Sequence, residues 1–163
     1  MGELTAERAR ELLNYDPETG SLRWRVSRWG ATKGNEAGSI EKGYRRASVD
    51  MTRYYAHRLA WLIHYGTWPN DQVDHIDGDR SNNRIANLRD ATHDENCENQ
   101  HRAQSDNYTT GLLGASFDKR KRVFRASIMV KKVVYRLGTF KTAEEAHQAY
   151  LAAKRQLHAF NTL

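Results

Sequence analysis

Val73-Asp74-His75-Ile76-Asp77-Gly78-Asp79 is followed closely by Asn82-Asn83, Asn87-Leu88-Arg89 and Glu95-Asn96. An Asp-His pair, a glycine turn and further asparagines gather hard oxygen donors and one titratable base in a short span. Hydrolysis of a phosphodiester needs that inventory: a base to activate water, and a cation to offset charge on phosphorus and the departing 3′-oxygen. His75 serves as the base if an acceptor, an Asn oxygen or a backbone carbonyl, holds its second ring nitrogen. Asp74 supplies a hard ligand. Adjacent strand residues point to opposite faces, so the two share a site only where the strand ends and twists, as a turn at Gly78 allows. One carboxylate, the amide oxygen of Asn96, a phosphate and waters suit Mg²⁺ or Mn²⁺. Taken singly, an Asp-His pair or the Ser81-Asn82-Asn83 turn is ordinary loop chemistry; the combination is far more specific.

These residues need elements to position them. Val73 to Ile76 reads as a short strand running into the Gly78 turn. Thr92-His93-Asp94-Glu95 is a capping box, which places Asn96 in the first turn of a helix. Upstream, residues 5–13 read as an amphipathic helix with Thr5 as N-cap, and Asp16-Pro17-Glu18-Thr19-Gly20 as a turn. Leu22, Trp24 and Val26 alternate with Arg23 and Arg25, at strand period. Residues 44–49 and 53–56 read as strands, and 58–65 as a helix stopped by Gly66 and Pro69.

Downstream, Phe124, Ala126, Ile128 and Val130 alternate with Arg125, Ser127, Met129 and Lys131, and Val133, Tyr135 and Leu137 with Val134 and Arg136. Two antiparallel strands joined at Lys131-Lys132 follow, each with one apolar face. A second capping box, Thr142-Ala143-Glu144-Glu145, opens a helix whose stripe of Ala146, Tyr150, Ala153 and Leu157 would cover that sheet.

The 163 residues allow one ordinary domain or two small ones, and a mean hydropathy of −0.86 makes any core lean. The net charge of +6 is unevenly spread. Residues 51–107 carry six Lys/Arg against nine Asp/Glu, whereas residues 108–163 carry eleven against three. An acidic middle suits a cation site and a basic end suits a polyanion, although a solvated basic surface reads the same way. No apolar run approaches the roughly 20 residues of a membrane span. The N-terminal residues lack the pattern of a secretory signal. With Cys97 alone, neither an internal disulfide nor a cysteine zinc site can form, and a cytoplasmic setting is expected.

Val73-Asp74-His75-Ile76-Asp77-Gly78, Asn82-Asn83, Asn87-Leu88-Arg89, Thr92, Glu95-Asn96 and Asn99 resemble the HNH nucleases, in the phage and intron homing branch where Asn replaces the last His. His57-Arg58-Leu59-Ala60-Trp61 and Tyr15-Asp16-Pro17-Glu18-Thr19-Gly20 also look like phage HNH proteins, so the resemblance covers about residues 14–101. It implies a ββα-metal motif, two short strands and a helix around one divalent ion. By that resemblance His75 is the general base, Asp74 and Asn96 are metal ligands, and Asn87 orients the base and steadies the loop. Arg89 would reach a phosphate. His93 and His57 read as a polar first-turn residue and a packing residue.

Gly114-Ala115-Ser116-Phe117, Phe124-Arg125-Ala126-Ser127-Ile128, Tyr135-Arg136-Leu137-Gly138-Thr139-Phe140 and Thr142-Ala143-Glu144-Glu145-Ala146 resemble the AP2/ERF DNA-binding domain over residues 112–159. That family lays a three-stranded sheet, backed by one helix, in the DNA major groove. The resemblance implies Arg125 and Arg136 as DNA contacts and Lys119, Arg120, Lys121 and Arg122 as phosphate anchors. Ser116, Asp118, Ser127 and Met129 stand where the plant domain has Arg or Trp, so plant-type sequence preference does not carry over.

The expectation is therefore an α+β protein: an HNH portion with N-terminal strands over 1–103, a polar linker over 104–111, and an AP2-like sheet and helix over 112–163. It would be a Mg²⁺- or Mn²⁺-dependent endonuclease acting on double-stranded DNA, phage-encoded and working in a bacterial host. The alternative is a DNA-binding regulator without catalysis.

Overall fold

The Thr5 side chain accepts the Arg8 N–H and so caps α1 (Ala6–Leu12), which buries Ala6, Ala9 and Leu12 in this computed structural model. The structure describes residues 3–28, 30–101, 103 and 107–162. The chain forms two compact units, Met1–Thr92 and His93–Leu163.

In the first unit, β1 (Leu13–Tyr15) pairs antiparallel with β2 (Leu22–Trp24) across the 16–20 turn. Next, β3 (Ser39–Glu41), β4 (Tyr44–Val49) and β5 (Thr52–Tyr55) form an antiparallel meander. Its hairpins turn on Lys42-Gly43 and Asp50-Met51, all at positive φ, the type I′ geometry that matches strand twist. Ala47 and Val49 on one sheet face join Leu59 and Leu62 of α2 (Ala56–Tyr65), together with α1, in the main core. Gly66, left-handed, ends α2. A satellite cluster of Ala60, Val73 and Leu88 seats β6 (Gln72–His75), which pairs antiparallel with β7 (Leu88–Ala91). A short 3-10 helix, Ile85–Asn87, leads into β7.

In the second unit, α3 (His93–Glu98) is followed by β8 (Ala115–Asp118), β9 (Val123–Val130) and β10 (Val133–Phe140), an antiparallel sheet in the order β10-β9-β8. The Lys131-Lys132 turn again has positive φ at both residues. Both arms of the capping box at Thr142 and Glu145 open α4 (Ala143–Leu157). Ala146 of α4 packs with Ala115 and Ala126 of the sheet.

One expectation needs revision here. The buried stripe of α4 runs Ala146, Tyr150, Lys154 at a spacing of four, while Leu157 is 46% exposed. Lys154 is fully buried because its stem packs while its ammonium donates to the Gln100 carbonyl; burial lowers its pKa to about 8. Alternation of residue type ranks Lys as outward, and only the placement of an acceptor reverses that. Of the polar stretch 104–111, residues 104–106 lie outside the described residues. Residues 107–111 form a turn in which the Asn107 amide donates to the carbonyls of Leu112 and Ala115. A Cβ on Gly114 would meet the Tyr150 ring at 2.0 Å, so sheet and helix approach closely there.

Candidate active site

His75 ends β6, where the strand turns into the 76–84 loop, and it is 4% exposed. Its Nε2 lies 3.0 Å from Asn83 Oδ1, itself buried. An amide oxygen only accepts, so this contact puts a proton on Nε2 and leaves Nδ1 as the basic nitrogen of the neutral ring. His57, at the start of α2, meets the His75 ring edge-on at 4.9 Å, and Tyr44 lies 6.2 Å away, centroid to centroid. Burial holds the His75 pKa below the usual histidine range, against the opposing hydrogen bond of Asn83 and the charges of Asp74, Asp77 and Asp79. Burial, helped by the neighbouring His75 and Arg58, pushes His57 down to about 3. Both imidazoles are therefore neutral at pH 7, the state a base requires.

Asp74 and Arg89 are register partners across β6 and β7, and so share one face of the two-stranded ladder. Arg89 Nε and Nη2 both donate to Asp74 Oδ2, at 3.0 and 2.7 Å, and the carboxylate is 6% exposed. The structure thus gives Arg89 a task beyond the one the sequence suggests: it anchors Asp74.

Asn87 does not hold the His75 Nε2; Asn83 does. Asn87 braces the loop, its Oδ1 accepting the Asp77 N–H at 3.1 Å and its Nδ2 donating to Asp77 Oδ1 and the Asn82 carbonyl. Burial raises the Asp77 pKa, but hydrogen bonds from Asn82, the Asp79 N–H and Asn87 outweigh it and hold the group low.

The N-terminal turn reaches the same loop. Tyr15 Oη donates to the Asn83 carbonyl at 2.7 Å, and the Ile85 N–H donates to the Pro17 carbonyl at 3.1 Å. A Cβ on Gly20, at φ +74°, would sit 2.6 Å from backbone atoms of Asn83 and Arg84. Only glycine allows that approach. Tyr15, Gly20 and Asn83 are site residues that the motif reading passed over; the paired Asn82-Asn83 and the Tyr15–Gly20 run were the signals available.

Asn96 lies in α3 of the second unit. The second unit also carries the proposed nucleic-acid residues. The β8–β10 register places Ser116, Arg125, Ser127, Met129, Val134 and Arg136 on the face turned away from Ala126 and Ile128. Arg125 and Arg136 are exposed, but Arg125 is ion-paired with Asp118. Lys119, Arg120, Lys121 and Arg122 form the exposed β8–β9 turn, whose backbone is pinned by Asp118 Oδ1 accepting from the N–H groups of Arg120 and Lys121.

Residues 54–97, from β5 through β7 and into α3, match the family model described as HNH endonuclease. The match supports an HNH nuclease acting on DNA. It encloses Asp74, His75, Asn83, Asn87, Arg89 and Asn96. No match was found among curated proteins or among solved structures. Within the HNH segment, Asp74, His75, Asn83, Asn87 and Arg89 belong to β6, the loop, the 3-10 helix or β7, His57 to α2 and Asn96 to α3, while the bracing Tyr15 and Gly20 come from outside it.

Proposed function

We propose that this protein is a metal-dependent DNA endonuclease in which His75 activates the attacking water. The observation that carries the reading is a buried, neutral histidine at a strand end, fixed in one tautomer by Asn83 and next to an anchored carboxylate inside the HNH-matched segment. Water oriented on His75 Nδ1 gives up its proton there as its oxygen attacks phosphorus. The 3′-oxygen leaves, giving 5′-phosphate and 3′-hydroxyl ends.

Asp74 is the kind of donor a hydrated divalent cation uses, since Mg²⁺ takes one or two carboxylates plus phosphate oxygens and waters. Asp74 would be its carboxylate ligand, and Mg²⁺ or Mn²⁺ would supply stabilisation of the charge on phosphate and leaving group. Arg89 keeps the Asp74 carboxylate aimed; a direct phosphate contact by Arg89 is secondary to that.

The second unit is the DNA-targeting module, its outward sheet face carrying Arg125 and Arg136 and its basic turn gripping phosphates. A homing-type role in a phage setting accords with this combination of a nuclease segment and a separate DNA grip. Cleavage of supercoiled plasmid by wild type and His75→Ala, with Mg²⁺, Mn²⁺ or EDTA, tests the reading. Metal-dependent relaxation or linearisation lost in the variant supports it. Preserved cleavage by His75→Ala removes His75 as the base. Tight binding without cutting at any metal concentration moves the protein to the regulator class.

A further inference from the structure

The outer face of the β3–β5 meander is chemically unlike an ordinary solvated sheet. Register puts Glu41, Tyr44, Arg46, Arg53 and Tyr55 on that face, opposite the core-facing Ala47 and Val49. Tyr44 and Tyr55 meet edge to face at 5.3 Å, and both also pack on His57, at 5.5 and 5.2 Å. Each ring carries a guanidinium: Arg80 lies 4.7 Å above Tyr44, and Arg46 lies 4.6 Å above Tyr55. Arg80 comes from the Asp77–Asn83 loop and reaches the Lys42 carbonyl of the β3–β4 turn, so it links the site loop to this sheet. Glu41 is shared between Arg46 and Arg53, at 3.3 and 3.2 Å. Two guanidinium groups, of Arg46 and Arg53, thus share one carboxylate, a third, of Arg80, lies over Tyr44 beside them, and the Tyr44 ring is also 6.2 Å from that of His75.

Stability does not account for this arrangement. A guanidinium flat on an exposed ring contributes about 0.5–1 kcal/mol, and a surface ion pair about as little. What stacking does achieve is orientation. A guanidinium held over a ring has fewer orientations open to it, and its remaining N–H groups form the planar fork that matches a phosphate.

We propose that Arg80, Arg46 and Arg53 are positioning residues that bind backbone phosphates of the DNA strand led to His75, with Tyr44 and Tyr55 as the platform that aims them. The proposal rests on the endonuclease reading for its choice of ligand. It gives the first unit a DNA grip of its own, separate from the basic sheet of the second unit.

The test uses the full chain in two backgrounds. Arg80→Gln and Arg53→Gln, singly and together, and Arg46→Lys as a charge-keeping control, are made in wild type and in His75→Ala. Fluorescence anisotropy with a labelled duplex from 50 to 200 mM salt reads binding in the non-cutting background. The double Gln variant is expected to lower the slope of log affinity against log salt by about two. In the cutting background it is expected to raise KM about tenfold or more, with kcat within a few-fold and the melting temperature unchanged. Arg46→Lys is expected to keep the wild-type salt slope. An unchanged slope and KM in the double variant overturn the proposal, as does a loss confined to melting temperature. Failure of wild type to cut any DNA would overturn the endonuclease reading, yet the salt slopes would still decide this one.

Discussion

The loop between β6 and β7 and the outward face of β8–β10 are both built from charged and polar residues, yet the fold treats them in opposite ways. Around the loop, Asp74, His75 and Asn83 are buried, and each leans on a residue distant in sequence or across a ladder. On the sheet face, Arg125 and Arg136 are exposed and placed by strand register, Arg125 with one ion pair to Asp118 of the neighbouring strand. Burial makes a polar group dependent on its partner, because an unsatisfied buried donor or acceptor costs about 1–3 kcal/mol. Exposure makes it nearly independent. The proposed chemistry therefore sits where the structure is over-determined, and the proposed polyanion grip sits where side chains are exposed.

The largest break in that comparison is expected at His75. His75→Ala should lower the cleavage rate by about 10²–10⁴-fold, since it removes the base, while leaving duplex affinity nearly unchanged. Asn83→Ala should cost activity and also stability, because it leaves the His75 Nε2 proton unsatisfied. Asn87→Ala should act through loop order. Melting curves and single-turnover rates on the pair tell these roles apart, and equal effects of both variants would sink the distinction.

Gly20→Ala sharpens the contrast from outside the matched segment. Its new Cβ would collide with the Asn83 and Arg84 backbone, so a loss of about 2 kcal/mol or more is expected in urea unfolding, with cleavage reduced alongside. An equivalent change at an open glycine such as Gly34, which has nothing within 4 Å, should show only the smaller strain of its positive φ.

Acid should expose the buried histidine. Above the ordinary pKa near 6.5, His57 is neutral in folded and unfolded chains alike. As pH falls below 6.5, the unfolded chain binds a proton that the folded chain refuses until about 3, so stability drops through that window. The expected slope is about 1.4 kcal/mol per pH unit for this one group. Urea midpoints between pH 6.5 and 5, ahead of most carboxylate titration, check it. His57→Phe should flatten the curve, and an unaltered slope in that variant would assign the loss elsewhere.

The smallest effects are expected on the exposed face. Arg136→Ala should weaken duplex binding by about tenfold and reduce the salt slope by about one. Asp118→Asn keeps the oxygen that pins the turn but releases Arg125 and removes a negative charge, so a modest gain in affinity is expected. A gain in Asp118→Asn that survives Arg125→Ala would mean that the charge alone matters.

Much of the fold was legible because periodicity is a local property. β4 and β5 of the meander, the β9–β10 hairpin and the capped α1 and α4 follow from alternation and capping residues, and they appear close to where those patterns put them, whereas β3 was not legible in this way. The matched HNH segment was legible as well, since Asp74, His75 and the asparagines lie within a few residues of one another. Which asparagine touches His75 was not. Asn82, Asn83 and Asn87 are chemically identical, and their roles are set by loop geometry, with Tyr15 and Gly20 pressing on the Asn83 backbone. The buried Lys154 escaped for a related reason: residue type ranks it outward, and only the Gln100 carbonyl makes the interior tolerable.

Residue identity and spacing by themselves determined that this chain carries a histidine-and-carboxylate segment, a basic sheet and the helices that flank them. Tertiary structure alone decided that Asn83 fixes the tautomer of His75, that Arg89 anchors Asp74, and that Arg80 and Arg46 lie over the rings of Tyr44 and Tyr55. The reason is one of range. Backbone preference and hydrophobic period act over a few residues, whereas the partner of a buried polar group is whichever atom the packed chain brings within about 3 Å.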